Sequence, residues 1–365
     1  MGKGSAAQDN VIDYINVEQA VGAKHHQLDG DAAGEGKVSI SQVAAHAGVS
    51  VATVSRVLNA SQAVRESTRA RVTASIHALG YRVNQLARSL RTDESRLLLV
   101  MVPDIGNPFY AQIVQGIDEA VQARSYALLL CETNGDPFRE RRYLDLLHTR
   151  RADGAICLDP DTVQQARQAE ALHFPWVACC EFDRGAGIPY AGIDNRAAAR
   201  EAAAYLLDKG HCRIAFVNSD TRYMYARERL QGYMDALAAA GIEVEDEYLV
   251  RAEGLDFAAG RSAVAGLLAL TDPPTAIFAV SDTLALGVMR GLHDSGLSVP
   301  GDMAVMGFDD IDLARQTCPS LTTVAQPMRD LGRHAAALLL RRLDTQKSGA
   351  EGIILPHSLV LRESA

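Results

Sequence analysis

Between Ser39 and Asn59 the chain reads Ser-Ile-Ser-Gln-Val-Ala-Ala-His-Ala-Gly-Val-Ser-Val-Ala-Thr-Val-Ser-Arg-Val-Leu-Asn, and its polar and small residues are of the types that read a DNA duplex. Ser39 and Ser50 each suit a helix N-cap, and a serine hydroxyl there also reaches a phosphate. Val51 and Ala52 are short and apolar, which fits thymine methyl groups, and Arg56 suits a guanine edge or a phosphate. Thr53, Ser55 and Asn59 fall on the same side, away from the apolar positions. A second group of such residues lies between 84 and 91. There Asn84, Arg88 and Arg91 suit DNA phosphates, Ala87 is small enough for a minor groove, and Leu90 has the size and polarity of a wedge between base steps.

These residues need two helices crossing steeply over a tight turn. Ser39 predicts the start of a helix running to about Ala47. Gly48 predicts the break, because glycine tolerates positive φ there. Ser50 predicts a second helix ending near Leu58, and Ser67 or Thr68 a third ending at Gly80. Val43, Ala47, Val49, Val54, Val57 and Leu58 are the expected shared apolar face, with Ala44 small where the helices approach. Residues 84–91 are too few for an isolated helix to be stable in water, so they are expected to coil only on DNA. A bland linker with one docked leucine is the competing reading of that octapeptide.

The 365 residues carry a net charge of −9, unevenly spread. Residues 1–36 hold two lysines against six acids, whereas residues 37–95 hold eight lysines and arginines against three acids. A small basic module on a large acidic body is expected of a nucleic-acid reader attached to something else. Residues 1–36 are read as a disordered extension without the apolar core of a secretory signal. The longest strongly apolar run, Leu97–Val102, is too short to span a bilayer. The six cysteines (131, 157, 179, 180, 212 and 318) show no C-x-x-C pair and no metal-ligand spacing with histidine, so reduced cytoplasmic thiols and no metal are expected. No G-x-S-x-G, P-loop or G-x-G-x-x-G falls at a strand–helix junction, so an enzyme and a cofactor are not expected.

After Arg96 short apolar runs alternate with amphipathic stretches, the pattern of parallel sheets covered on both faces. The length of this region predicts two doubly wound lobes. The predicted fold is therefore a small all-α helix-turn-helix headpiece (37–83), a hinge (84–95) and an α/β core (96–365).

The sequence resembles the LacI-type family of bacterial repressors. The resemblance covers about residues 38–364. It rests on the segment Val43–Asn59 and on Leu-Gly-Tyr (79–81), Ala-Arg-Ser-Leu (87–90), Asn-Pro-Phe-Tyr (107–110), Gly-Ile-Asp-Asn (192–195), Arg-Leu-Gln-Gly-Tyr (229–233), Ser-Asp-Thr-Leu-Ala-Leu-Gly (281–287), Gly-Phe-Asp-Asp (307–310) and Leu-Thr-Thr-Val-Ala-Gln-Pro (321–327). Val-Pro-Asp-Ile (102–105) and Phe-Asp-Asp-Ile-Asp-Leu (308–313) look most like the cytidine-responsive branch. The resemblance implies a homodimer, sometimes a tetramer, on double-stranded operator DNA. It also implies a core similar to periplasmic sugar-binding proteins, its lobes joined by crossovers near Asp194–Asn195, Thr323–Val324 and Ser348–Gly352. Lobe one is then 96–194 plus 325–347, and lobe two 196–322 plus 353–365.

It further implies a sugar or nucleoside effector between the lobes, where ligands of parallel α/β sheets bind. Phe109, Tyr110, Arg229, Asp282 and Asp309 are carried over as effector contacts, with Cys180, Glu181, Tyr223, Tyr225 and Leu255 added. Asp282 equally suits a helix cap, and Phe109 a core position. Many sugar-binding relatives have Asp where Cys180 stands and Asn where Ser281 stands. Adjacent cysteines at a buried strand end are expected to be inert. The competing whole-chain reading is a small-molecule binding protein without a DNA role, which the headpiece opposes.

Overall fold

The computed structural model describes residues 38–58, 63–81, 94–158, 174–345 and 351–365. The extension 1–36, the octapeptide 84–91 and the DNA-contact candidates Asn59, Asn84, Ala87, Arg88 and Leu90 lie outside them. The chain divides into two compact units, Met1–Asn84 and Gln85–Ala365.

Among the described residues the first unit holds three helices, α1 (Ile40–Ala47), α2 (Val51–Leu58) and α3 (Glu66–Leu79). Ser39 and Gln42 form a reciprocal capping box at the start of α1, satisfying two orphan donors. Gly48 ends it at φ 61°, a left-handed conformation that costs an L side chain about 1–2 kcal/mol. Val43, Ala44, Ala47, Val54, Val57 and Val72 make a closed apolar cluster. His46 Nδ1 and Ser75 Oγ, 3.0 Å apart, tie α1 to α3. The third helix differs from expectation: it starts at Glu66, and Arg65 caps it without a side-chain bond. Ser67 and Thr68 lie inside its first turn, where Glu66 faces the positive end of the helix dipole.

Among the described residues the second unit holds two six-stranded sheets. Lobe one is built on β1 (Leu97–Val102), β2 (Ala127–Glu132), β3 (Gly154–Cys157), β4 (Trp176–Cys179), β5 (Tyr190–Ile193) and β11 (Gly352–Leu355), in the order β11-β5-β4-β3-β1-β2. Every pairing in it is parallel. Lobe two is built on β6 (Ile214–Asn218), β7 (Leu249–Arg251), β8 (Ala276–Ala279), β9 (Ala304–Asp309), β10 (Thr322–Ala325) and β12 (Ser358–Val360), in the order β12-β10-β9-β8-β6-β7. Its sole antiparallel pairing among the described residues is β10 with β12. Leu98, Val100 and Val102 of β1 join one apolar cluster while Leu99 and Met101 join another. Both faces of the strand are thus covered, which is why it reads as an unbroken apolar run.

Helices α4 (Pro108–Gln122), α5 (Pro137–His148) and α10 (Met328–Thr345) belong to lobe one. Lobe two carries α6 (Asn195–Asp208), α7 (Met224–Ala239), α8 (Phe257–Leu268) and α9 (Asp282–Asp294). The chain crosses between lobes after β5, where Asp194 caps α6 by accepting from Ala197 N at 2.9 Å. The second crossing falls at 326–327, between β10 and α10, later than the expected Thr323–Val324. The third falls between Leu355 and Ser358, so residues 353–355 belong to lobe one and not to lobe two. There β11 extends the first sheet with Gly352 opposite Tyr190 and Leu355 opposite Ile193. Pro356, which has no N–H to donate to a ladder, follows its last residue. Among the described residues no helix is long and apolar enough to cross a membrane.

Helices α4 and α10 pack at glycine. A Cβ at Gly332 would overlap the Ile113 carbonyl oxygen, and one at Gly116 the Arg329 carbonyl oxygen. Gly266, on the exposed side of α8, has nothing within 4 Å of such a Cβ. Gly332→Ala is therefore expected to lower stability by about 1–3 kcal/mol. Gly266→Ala should leave stability unchanged or raise it by up to about 1 kcal/mol. Urea unfolding of the two variants checks the contrast, and equal midpoints would contradict it.

Candidate functional site

In the headpiece unit, α2 divides cleanly. Val54 and Val57 point into the cluster, while Val51, Ala52 and Arg56 are exposed and Thr53 and Ser55 half-buried. Ser50 caps the helix: Thr53 N donates to its Oγ at 3.2 Å, and the two hydroxyls lie 2.9 Å apart. Ser39 is exposed at the start of α1. The first turn of α2 thus presents two hydroxyls and two short apolar side chains, and its last turn one exposed guanidinium, a set able to meet base edges and phosphates in a major groove.

In the core unit a cleft opens between the lobes at the carboxyl ends of their strands. Its outer part has a volume of about 540 Å³ and is lined by residues of both lobes, among them Asp104, Asn134, Asp220, Tyr223 and Arg251. Asn107, Tyr110, Tyr225 and Leu255 separate it from an inner chamber. The chamber is walled by Phe109, Leu158, Cys180, Glu181 and Ile193 of lobe one and by Asn195, Arg229, Ser281 and Asp309 of lobe two, with Gln326 at the second crossover.

Arg229, one and a half turns into α7, is 4% exposed. Its Nε donates to Asn195 Oδ1 at 2.9 Å, and its Nη1 to the Val280 carbonyl at 2.5 Å and to Asp309 Oδ1 at 3.5 Å. The guanidinium carbon lies 3.5 Å from the Phe308 ring centroid and 5.0 Å from that of Tyr225. Burial pulls its pKa down while Asp309 opposes the shift. Asp309, held at φ 124°, also accepts from Gln326 Nε2 at 2.7 Å. Phe109 and Tyr110 follow Asn107, whose side chain accepts from Phe109 N at 3.0 Å and so caps α4 ahead of Pro108. Their rings meet edge to face at 5.2 Å. Tyr225 bonds Ser219 through its hydroxyl at 3.0 Å, and its ring lies 5.4 Å from that of Tyr223.

Two predicted contacts are engaged by the protein itself. Asp282 is fully buried and does not line the cleft. Its Oδ2 accepts from Ile311 N at 2.9 Å and its Oδ1 from Thr323 Oγ1 at 2.5 Å. It is not the cap of α9 either; Ser281 is, accepting from Leu284 N at 3.3 Å. Glu181 lines the chamber, but its carboxylate is turned onto lobe two, where it accepts from Met224 N at 2.7 Å and Tyr225 N at 3.1 Å. Cys180 does face the chamber, at φ 67°, with its sulfur 3.8 Å from that of Cys179. Six lining residues were missed: Asn107, Leu158, Ile193, Asn195, Ser281 and Gln326. Leu158, Asn195 and Gln326 sit just beyond strands β3, β5 and β10, so the strand-end rule was signal enough for them.

The buried carboxyls set the pH response. Burial pushes Glu181 up from an ordinary 4.5 to about 7, and burial likewise raises Asp282 and Asp309, which repel each other. Each holds its proton to higher pH folded than unfolded. The folded chain therefore binds more protons between the ordinary carboxylate range and about 7, and its stability falls as pH rises through that window. For Glu181 the fall amounts to about 3 kcal/mol. Wild-type Tm should drop between pH 5 and 7.5, and Glu181→Gln should flatten the drop. An equal slope in the variant, read by thermal melts, would contradict this assignment.

Residues 39–84 match the family described as bacterial regulatory proteins, lacI family, and residues 203–365 match a periplasmic binding protein-like domain. The chain is 36% identical over 331 residues to the HTH-type transcriptional repressor CytR of Escherichia coli (strain K12), covering 90% of this chain and 97% of that one. It is also 36% identical to the ribose operon repressor of the same strain, over 90% and 99% of the two chains. Among solved structures, the lac repressor dimer bound to operator and the anti-inducer ONPF superposes with a TM-score of 0.80 at 27% identity, over 90% of this chain and 99% of that one. Headpiece, two-lobed core and coverage agree, and the chain belongs to the LacI family of bacterial transcriptional regulators.

Proposed function

We propose that this protein is a cytoplasmic repressor that binds a near-palindromic operator as a homodimer and is controlled by a small, uncharged, hydroxyl-rich effector of the sugar or nucleoside class. The observation that carries the DNA reading is α2, where Ser50, Val51 and Ala52 at its start and Arg56 in its last turn are all exposed beside a packed apolar cluster. Two such helices related by a two-fold axis reach successive major grooves. Support for a dimer comes from β2, the edge strand of the first sheet. It exposes Leu129 and Leu130, and Phe138 at the start of α5 is 77% exposed. An unpaired edge carrying apolar side chains is an association surface.

The chamber favours a neutral polyol. It offers amides from Asn107, Asn195 and Gln326, the Asp309 carboxylate, and the faces of Phe109, Tyr110 and Tyr225, a set that pairs hydroxyls and covers a ring. Arg229 is its only lining cation among the described residues, and it is already engaged by Asn195, Val280 and Asp309. None is left over in the chamber for a phosphate, and Arg251 of the outer part is paired with Asp220 at 3.1 Å. The chamber itself has a volume of about 30 Å³ and the outer part about 540 Å³, so a ring has its room in the outer part, against the residues the two share. The name of one curated relative, a ribose operon repressor, fits this class.

Two outcomes are expected. Arg56→Ala should weaken binding to a fragment selected from genomic DNA by about 5–150-fold if the guanidinium meets a guanine. Leu90→Ala, proposed from sequence alone as the minor-groove wedge, should weaken it without altering effector binding. Fluorescence anisotropy against bulk competitor checks both, and wild-type affinities would remove these residues from the interface. For the cleft, a thermal-shift screen with ribose, cytidine and hexoses should raise Tm for one class; a ligand at 100 times its Kd stabilises by about 2.7 kcal/mol. Arg229→Ala should abolish that rise. An equal rise in the variant would take Arg229 out of the effector site.

A further inference from the structure

Helix α7 begins in lobe two without a cap of its own. Tyr223 stands at its N-cap but its side chain makes no capping bond to the helix end; its hydroxyl accepts from Arg222 instead, at 2.9 Å. A helix start leaves backbone donors without intrahelical partners, and a bare one inside a protein is unstable. Here the missing acceptor comes from the other lobe. Glu181, 2% exposed, follows β4 of lobe one and places one carboxylate oxygen on Met224 N and the other on Tyr225 N, at 2.7 and 3.1 Å. The backbone is bent to allow it. Cys180 sits at φ 67°, and Glu181 N donates back to the Cys179 carbonyl at 2.8 Å, a three-residue turn of the strained kind. That conformation, unusual for a residue with a Cβ, turns the chain out of the sheet just where Glu181 must reach the second lobe.

What hangs on α7 makes this more than a cap. Arg229, the cation of the chamber, is five residues past Met224 on the same helix. Tyr225, which donates to Glu181 through its backbone, puts its ring 5.0 Å from the Arg229 guanidinium. The two amides take one lone-pair site on each Glu181 oxygen, so the carboxylate's orientation is set by α7.

We propose that Glu181 is a positioning residue, a clasp that holds lobe one against the start of α7 and thereby sets where Arg229 and Tyr225 stand in the chamber. Separating the lobes exposes two helix-end donors and a carboxylate at once, so the lobes meet in one preferred arrangement even without ligand. The inference goes beyond the repressor reading, and its test needs neither DNA nor effector, so either can fail without the other.

The test is an interlobe distance measured on the ligand-free full chain. Spin labels are placed through Arg142→Cys on α5 and Ala258→Cys on α8, in a Cys212→Ser/Cys318→Ser background. Labelled chains are diluted with unlabelled ones so that distances within one chain dominate. A single narrow distribution is expected for the parent, and a longer, broader one for Glu181→Ala. Glu181→Gln, which keeps an acceptor at the same reach, should restore much of the narrow component. Glu181→Asp, one methylene shorter, should not, and it carries the test if the alanine variant fails to fold. Amide exchange at Met224 and Tyr225 should speed up roughly fivefold in the alanine variant, the loss of one cap. Faster exchange with an unchanged distance in both Glu181→Ala and Glu181→Asp would reduce Glu181 to a local cap and overturn the clasp. So would an unchanged result in both measurements.

Discussion

A guanidinium buried between two sheets needs partners on every side, and that requirement organises the core of this protein. Arg229 is withdrawn from water, and a charge in such a place is tolerated only when it is paired and hydrogen-bonded. Asn195 at the start of α6, the Val280 carbonyl at the end of β8 and Asp309 at the end of β9 supply those bonds. Phe308 lies flat beneath it. Asp309 is in turn fixed by Gln326, and Asp282, from behind, holds Ile311 and Thr323 and so braces the same loop. The ends of three elements thus converge on one side chain, and the same convergence makes the floor of the cleft.

The headpiece was nearly all legible because its information is local. Apolar positions 43, 47, 54 and 57, a glycine at 48 and serines at 39 and 50 define two helices, their turn and their caps within twenty residues. The start of α3 was misplaced because Ser67 and Thr68 are better caps by type than Arg65, yet beginning at Glu66 puts an acid against the helix dipole. In the core, strongly apolar strands such as β1 declare themselves. β11 does not declare its partner: Gly-Ile-Ile-Leu would suit the edge of either sheet, and only pairing with Tyr190–Ile193 decides it.

The cleft was harder for the same reason. Asp282 follows a strand and opens a helix, which is where a ligand contact or a cap belongs. Its true partners come from 29 and 41 residues away, and no spacing rule announces them. Glu181 looked like a pocket carboxylate and is one by position, but its oxygens are committed to a helix in the other lobe, 43 and 44 residues on. Sequence reasoning named residues that lie near the cleft; which of them face it and which hold its walls depends on long-range hydrogen bonds.

The account's central claim is that occupancy of the cleft and grip on DNA are coupled, a coupling that must be reciprocal in free energy. The most direct measurement is operator affinity of the full chain with and without a saturating ligand from the class that stabilises it, paired with that ligand's affinity with and without operator. The account predicts that both change by the same factor, typically about 5–150-fold. A ligand that binds the cleft while operator affinity stays constant would contradict it.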